Sequence, residues 1–239
     1  MTVPIGTTAG AALDLMVERR FDQLPVLNTR GTVIGTFTNR SFARQVVHLR
    51  TQDDPRAALV DDLVEDLHFA RPTDNLEDVF RWLESDNAVL VGDEDRVLAV
   101  VTMADVTSFL WDRTHPFVLL QDIELATRHL MRSACSANEL AECLRAVLSI
   151  EGTTPASGGL EHLTLGELHA VLLHKASFGR YFGATFGRSR DLVQSTLEPV
   201  RDIRNKVVHF RGPISADEIG TLVRAATWLR RRMLIREEA

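Results

Sequence analysis

The sequence predicts an α/β half built from two copies of one unit, followed by an all-α half. Two observations predict this division. The apolar pattern of residues 24–38 returns 64 positions later, at residues 88–102. From about residue 117 onward the strand-like pattern disappears and apolar residues recur at helical spacing. Pro116 lies between the two regions and marks the expected boundary, because proline disfavours a helical conformation of the preceding residue.

The repeat is predicted to form a helix, two strands and a second helix in each copy. Its strands are predicted at residues 24–27 and 33–38 in the first copy, and at 88–91 and 97–102 in the second. Its amphipathic helices are predicted at 11–19, 41–49, 76–84 and 104–111. Neither copy could bury its sheet face alone. We therefore expect the two copies to pack face to face, with clefts between them.

The second half is predicted to be a bundle of four or five helices. These helices are predicted at residues 117–133, 136–149, 165–178, 190–209 and 215–236. Two helix starts have the spacing of a capping box, Ser136 with Glu139 and Ser215 with Glu218. Residues 151–160 contain glycines and a proline and are predicted to be an exposed loop.

The composition indicates a globular protein without disulfide staples. Hydrophobic residues make up 45% of the 239 residues, which is enough for a packed core. Cys135 and Cys143 are the two cysteines, and their spacing suggests neither a disulfide framework nor a zinc site. The first residues lack a signal-peptide pattern, and no apolar run approaches the ~18 residues that span a bilayer. We therefore expect a cytoplasmic protein with no metal site.

Charge is distributed unevenly along the chain. Residues 1–115 contain eleven arginines and no lysine against nineteen acids, a net charge of −8. Residues 116–239 contain sixteen bases against fourteen acids, a net charge of +2. Within residues 172–211 there are eight bases and three acids. This local excess would attract a polyanion such as RNA, although a solvated helix face would have the same composition.

Residues 201–211 place an imidazole, a guanidinium and an amide in one basic run. Asn205 and His209 are four positions apart and share a helix face, while the long side chain of Arg204 can partly close its angular distance from His209. Imidazole exchanges a proton near neutral pH, and guanidinium can hold a phosphate in a bidentate fork. The run therefore predicts a site that binds a phosphate or cleaves a phosphodiester.

The first half resembles the tandem CBS (cystathionine-β-synthase-type) pair over roughly residues 3–113. The resemblance rests on the segment Gln23–Leu27, on Gly31 and Gly35, and on the strand-to-helix turns at Thr38 and Thr102. It implies one CBS repeat in residues 1–52 and a second in residues 58–114. It also implies a regulatory module that binds an adenine nucleotide of the AMP, ADP or ATP type.

The same resemblance implies which residues hold the nucleotide. In that family a Thr/Ser-x-x-Asp turn presents a hydroxyl and free helix amides to phosphate, while the Asp accepts hydrogen bonds from the ribose hydroxyls. Thr102 and Asp105 keep this pattern in the second copy. Thr38 and Ser41 are the equivalent residues of the first copy, where a ribose would lose its charged acceptor. Thr102 and Asp105 could instead be a plain helix cap and first-turn acid, worth about 1 kcal/mol.

A phosphate in this acidic half also needs a neighbouring base. The candidates that the sequence offers for facing a cleft are Arg40, Arg44 and Arg71.

The second half resembles the HEPN superfamily of small helical bundles, over residues 116–239. The resemblance rests on the motif Arg-Asn-x-x-x-His, here Arg204, Asn205 and His209, near the end of a helix. It implies a metal-independent ribonuclease in which two subunits bring their Arg and His together, or a domain that keeps the motif for binding RNA or a partner. Asn205 would orient His209 or the phosphate. Alternatively, Arg204 pairs with a glutamate such as Glu124 and the motif is structural.

These observations combine into one functional hypothesis. A nucleotide-sensing CBS module controls a HEPN-like domain that cleaves RNA without metal, and the protein is a homodimer. In the alternative hypothesis the protein is a non-enzymatic nucleotide sensor whose helical domain dimerises and binds nucleic acid or a protein partner. In both, nucleotide binding would reorient the module and change how two helical domains face each other.

Overall fold

The computed structural model describes residues 1–48, 54–86, 88–148 and 159–237. The chain divides into two compact units, Met1–Leu110 and Trp111–Ala239. Within the described ranges the strands are β1 (Val3–Pro4), β2 (Gln23–Leu27), β3 (Val33–Thr38), β4 (Phe69–Ala70), β5 (Ala88–Gly92) and β6 (Val97–Thr102). The helices of the first unit are α1 (Ala9–Arg19), α2 (Asn39–Val46) and α3 (Leu76–Asp86), followed by the start of α4 (Met103–Ala134).

The remaining helices belong to the second unit. They are α5 (Ala137–Leu148), α6 (Leu165–Leu173), α7 (Lys175–Ser177), α8 (Gly183–Phe186), α9 (Arg190–Val208) and α10 (Ala216–Glu237). A π-helical turn, Phe178–Phe182, joins α7 to α8. No helix in the described ranges is both long enough and apolar enough to cross a membrane. The predicted loop at 151–160 lies mostly outside the described residues.

The two halves of the first unit repeat one topology. In each, a short strand pairs in parallel with the next strand, which pairs antiparallel with the third. The four strands expected from the repeat lie within one residue of their predicted bounds. The registers differ by one residue: Val26 lies opposite Gly35, whereas Leu90, its counterpart 64 positions later, lies opposite Val100. The sequence pattern therefore located both sheets but not their pairing.

The copies share a small apolar core. Val33 of β3 packs with Leu67, Ala88 and Leu90, so residues of both copies form one cluster. The backbone N–H of Val33 also donates to the carbonyl of Glu94 at 2.9 Å. The strands β3 and β6 end outside this cluster, and each leads directly into a helix, α2 after Thr38 and α4 after Thr102.

The second unit buries one stripe of each long helix. In α9 this stripe recurs every three or four residues and consists of Val193, Leu197, Val200, Ile203 and Val207. Both capping boxes expected from the sequence are present. Glu139 accepts from the N–H of Ser136 at 2.9 Å, and Glu218 accepts from the N–H of Ser215 at 2.7 Å. The residues between the stripe positions of α9, including Arg204, therefore lie toward solvent.

Two helix predictions were wrong. The helices predicted separately at 104–111 and 117–133 are one helix that runs without a break from Met103 to Ala134. Proline removes one N–H donor, but its fixed φ is helical, so a helix with enough other contacts can continue through it. The helix predicted over 165–178 ends at Leu173, because His174 has an extended conformation with ψ 123°.

His169 on α6 predicts a pH dependence of stability. It is buried, and its Nε2 has no hydrogen-bond partner within the described ranges. Burial, with a smaller contribution from Arg201, lowers its pKa from 6.5 to about 4. Below pH 6.5 the unfolded chain gains a proton that the folded chain excludes, so stability falls until about pH 4 and then levels off. The full loss is about 3 kcal/mol.

Urea unfolding at pH 7 and pH 4.5 measures this loss. His169→Gln should lose less stability between these pH values than the unchanged protein, whereas His162→Gln, at an exposed position, should follow the unchanged protein. Parallel losses in all three proteins would contradict the assignment.

Candidate functional site

The turn that begins α4 holds both residues predicted for the second copy. Asp105 accepts two hydrogen bonds from Thr102 on one oxygen, Oδ2: from the backbone N–H at 2.8 Å and from the hydroxyl at 2.6 Å. The N–H of Asp105 donates back to the Thr102 hydroxyl oxygen at 3.3 Å. The side-chain hydrogen bond, then the backbone one, lowers the pKa of Asp105. This turn is a helix cap, and it keeps Asp105 ionised.

A cavity of ≈ 450 Å³ opens at this turn. It is lined by Met1, Arg20, Phe21, Asp22, Gln23, Val100, Thr102, Ala104 and Asp105. Thr102 and Asp105 therefore cap a helix and line a cavity at the same time. The volume lies within the range of about 300–1,000 Å³ that is usual for small-molecule sites.

Arg20 and Phe21 are among the lining residues that were not predicted from the sequence. They follow α1 in the first copy, and Arg20 has a left-handed conformation with φ 58°. Arg20 supplies the cationic group at the cavity, whereas Arg40 and Arg44 face Glu65. The repeat could have predicted these two residues. A face-to-face arrangement of the copies brings the end of a helix in one copy near the strand-to-helix turn of the other.

The equivalent turn of the first copy is closed. Thr38 and Ser41 are 8% and 3% exposed, and each accepts from the other's backbone N–H, at 2.8 and 3.0 Å. The Thr38 hydroxyl donates to Oε1 of Glu65 at 2.6 Å, and Arg40 binds the same carboxylate at 3.1 Å. The polar groups predicted to meet a nucleotide here are thus engaged within the chain.

The basic motif lies at the end of α9. Nη1 of Arg204 donates to Oδ1 of Asn205 at 3.4 Å. His209 is exposed and caps the helix, with its backbone N–H donating to the carbonyl of Asn205 at 3.2 Å. No hydrogen bond among the described residues joins its imidazole to Arg204. Glu124 pairs with Arg128, and among the described residues no ion pair joins it to Arg204.

An ion pair fixes the end of α9 to the start of α10. Nζ of Lys206 lies 2.8 Å from Oε2 of Glu218, which also closes the capping box with Ser215. The Lys206 hydrogen bond, followed by the Ser215 N–H, lowers the pKa of Glu218. A residue inside the motif, Lys206, is therefore tied to α10 while His209 stays exposed.

Phe210 follows the motif in an unusual conformation. Its φ is 52°, its N–H donates to the carbonyl of Val207, and the N–H of Arg211 donates to that of Lys206. This hydrogen-bond pattern is a Schellman motif, whose left-handed position usually holds glycine. A bulky residue there costs about 1–2 kcal/mol. Phe210 is nevertheless 84% exposed, so burial of its ring does not offset that cost.

A second cavity of ≈ 320 Å³ lies within the helical unit, and Arg204, Asn205 and His209 are not among its wall residues. Within the described ranges, no group of three or more His, Cys, Asp or Glu side chains has metal-binding geometry.

Comparisons with known proteins concern the first half of the chain. Residues 1–48 match the model of the CBS domain family. No curated protein sequence matches the chain. Among solved structures, the chain is similar to a CBS-domain-containing protein of Agrobacterium tumefaciens, with 16% identity, a TM-score of 0.41, and coverage of 45% of this chain and 81% of that one.

Two further solved structures are similar over the same extent. A CBS domain protein of Streptococcus pneumoniae has 18% identity and a TM-score of 0.41, covering 48% of this chain and 77% of that one. CBSX2 in complex with AMP has 24% identity and a TM-score of 0.38, covering 46% of this chain and 86% of that one.

The strain at Phe210 predicts that glycine stabilises the protein. Phe210→Gly should raise the free energy of unfolding by about 1 kcal/mol, because glycine adopts positive φ without steric cost. Calorimetric melting should show a Tm increase of about 2–4 °C. Phe210→Ala removes the ring but keeps a Cβ in the same conformation, so its Tm should not rise. Equal Tm values for the glycine and alanine variants would contradict the strain.

Proposed function

We propose that the chain is a regulatory protein that binds an adenine nucleotide in the cavity at Thr102 and Asp105. The observation that carries the proposal is this cavity, because it combines a capped helix start, an acid, a cation and an aromatic ring. The CBS family match over residues 1–48 supports the same reading.

Four of the wall residues have a chemical role in this proposal. Thr102 occupies only Oδ2 of Asp105, and Oδ1 would accept hydrogen bonds from a ribose diol. The N–H groups in the first turn of α4 favour an anion, and Arg20 would balance the charge of the phosphate. The ring of Phe21, 42% exposed, would stack on the adenine.

For the helical unit, we propose RNA as the ligand and cleavage without metal as the reaction. His209 would exchange protons with the attacking and leaving oxygens, and Arg204 would stabilise the charge on the phosphate. One chain supplies one such His, so the reaction would need the His209 of a second subunit in a homodimer. The accessible imidazole at the end of α9 supports this proposal. Binding of RNA or a protein partner without cleavage is the alternative.

The proposed control of the helical unit uses α4. This one helix carries Asp105 in its first turn and contributes Ile123 and Leu130 to the core of the second unit. A nucleotide that changes the first turn of α4 therefore acts on a helix that both units share. We place this regulation in the cytoplasm, as the sequence suggested.

Asp105→Asn tests the nucleotide proposal. Asparagine keeps an oxygen for the Thr102 N–H but lacks the charge that strengthens a bond to a ribose diol. AMP affinity should fall about ten- to a hundredfold, since hydrogen bonds to charged groups contribute about 1.5–3 kcal/mol. Isothermal titration calorimetry measures this change. Asp78→Asn, an exposed acid in the first turn of α3, is the matched control, and unchanged binding in both variants would remove Asp105 from the site.

His209→Ala tests the RNA proposal. The full chain is incubated with single-stranded RNA in the presence of a chelator, and products are separated by gel. Cleavage should be about 10²–10⁴-fold slower in His209→Ala, the usual contribution of a general acid or base. His162→Ala, at an exposed position, should cleave like the unchanged protein. An equal rate in His209→Ala would contradict catalysis. Weaker RNA binding by Arg204→Ala, with no cleavage by any variant, would favour the alternative.

A further inference from the structure

The repeat allows the two turns to be compared position by position. The open cavity of the second copy is lined by Met1, Phe21, Val100 and Ala104 around Thr102 and Asp105. Their counterparts in the first copy, 64 positions away, are Glu65, Ser85, Thr36 and Arg40 around Thr38 and Ser41. At two of these positions the first copy has a charged residue: Glu65 in place of Met1, and Arg40 in place of Ala104.

Arg40 fills the space that Ala104 leaves open in the second copy. Nη1 of Arg40 donates to the carbonyl of Ser85 at 2.9 Å, and Nη2 lies 3.1 Å from Oε2 of Glu65. Ser85 is the counterpart of Phe21. The guanidinium therefore spans the first copy's cleft from the helix start to the opposite wall.

Glu65 takes the contacts that an anion would make. Its carboxylate receives the Thr38 hydroxyl at 2.6 Å and the Arg40 guanidinium, while Nη1 of Arg44 lies 3.9 Å away. These are one hydroxyl and two guanidinium groups at the start of a helix. Phosphate would use the same set of donors.

The segment that carries Glu65 is held close to β3. Its backbone exchanges hydrogen bonds with Thr36, at 2.9 and 3.0 Å. Gly35 permits this approach, because a Cβ at that position would lie 2.8 Å from Cβ of Val64. The carboxylate is therefore positioned by the backbone as well as by its ion pairs.

A buried hydroxyl without a partner lies at the same place. Thr36 is fully buried, and its Oγ1 makes no hydrogen bond in the described part of the chain. Its counterpart Val100 is a wall residue of the open cavity. An unsatisfied hydroxyl costs stability in a packed core but would gain a partner if a polar ligand occupied the cleft.

We propose that the first copy contains a phosphate site that Glu65 and Arg40 hold closed, so that the chain binds one nucleotide rather than two. Glu65 acts as an internal anion in place of phosphate, and Arg40 excludes the rest of a nucleotide. Thr38 and Ser41 then cap α2 in the closed turn. They would contact a ligand only after Glu65 is displaced. The single-nucleotide stoichiometry rests on the proposed nucleotide binding at Asp105, whereas the closed phosphate site does not.

Anion rescue tests the closed site. Glu65→Ala leaves the Thr38 hydroxyl and Arg40 without their acceptor, so its Tm should fall. Inorganic phosphate should then raise the Tm of Glu65→Ala by about 3 °C or more once its concentration exceeds the dissociation constant about tenfold. The unchanged protein and Glu18→Ala, an exposed acid of α1, should show only the smaller rise that phosphate in the open cavity at Asp105 gives, and no protein should show a rise in chloride of equal ionic strength. If Glu65→Ala does not fold, the isosteric Glu65→Gln replaces it.

Stoichiometry separates this inference from the proposed function. By calorimetry, AMP should bind once per chain to the unchanged protein and twice to Arg40→Ala with Glu65→Gln, in which Thr38 and Arg44 remain as donors to the phosphate. Two sites in the unchanged protein, or a Tm rise with phosphate equal in all variants, would overturn the closed site. If AMP binds to none of the proteins while phosphate rescues Glu65→Ala, the nucleotide proposal fails and the closed site stands.

Discussion

A strand that leads directly into a helix leaves backbone N–H groups without partners inside that helix, and both copies of the repeat must satisfy them. The first copy uses Ser41 and Thr38 for these groups and adds the carboxylate of Glu65 beside them. The second copy uses Asp105 and Thr102, and Met1 takes the position that Glu65 has in the first copy. The same backbone requirement is thus met by a closed turn in one copy and by the wall of a cavity in the other.

The sequence predicted those parts of the fold and site that depend on local pattern. Strand positions followed from apolar alternation and from the repeat, whereas Thr102 and Asp105 were expected from the resemblance to the CBS pair. Arg20 and Glu65 were missed as site residues, because a helix end in one copy and a connecting segment reach these turns only through tertiary packing. β4 was missed because two residues carry no periodicity. The break predicted between the helices at 104–111 and 117–133 was wrong, because packing along α4 overrides the local preference of Pro116 against a continuous helix.

In the helical unit, one spacing explains both the core and the exposed motif. The three- and four-residue steps that bury Ile203 and Val207 leave Arg204 and Asn205 half-exposed and His209 exposed. This division between buried and exposed positions could be predicted from the helical spacing. The left-handed conformation of Phe210 could not be predicted, because that position at a helix end usually holds glycine. Phe210 keeps this conformation while 84% exposed, and it directly follows His209.

Helix α4 carries Asp105 in its first turn and core residues of the second unit further along. Any coupling of ligand binding between the two units must be reciprocal. If a nucleotide changes the affinity of the helical unit for RNA by some factor, RNA must change the affinity for the nucleotide by the same factor. If the first copy is closed as proposed, one occupied site per chain would give one coupling free energy. Opening the first copy would add a second ligand whose phosphate contacts α2, a helix confined to the first unit. Of the two proposed sites, the one at Asp105 lies on a helix that continues into the second unit.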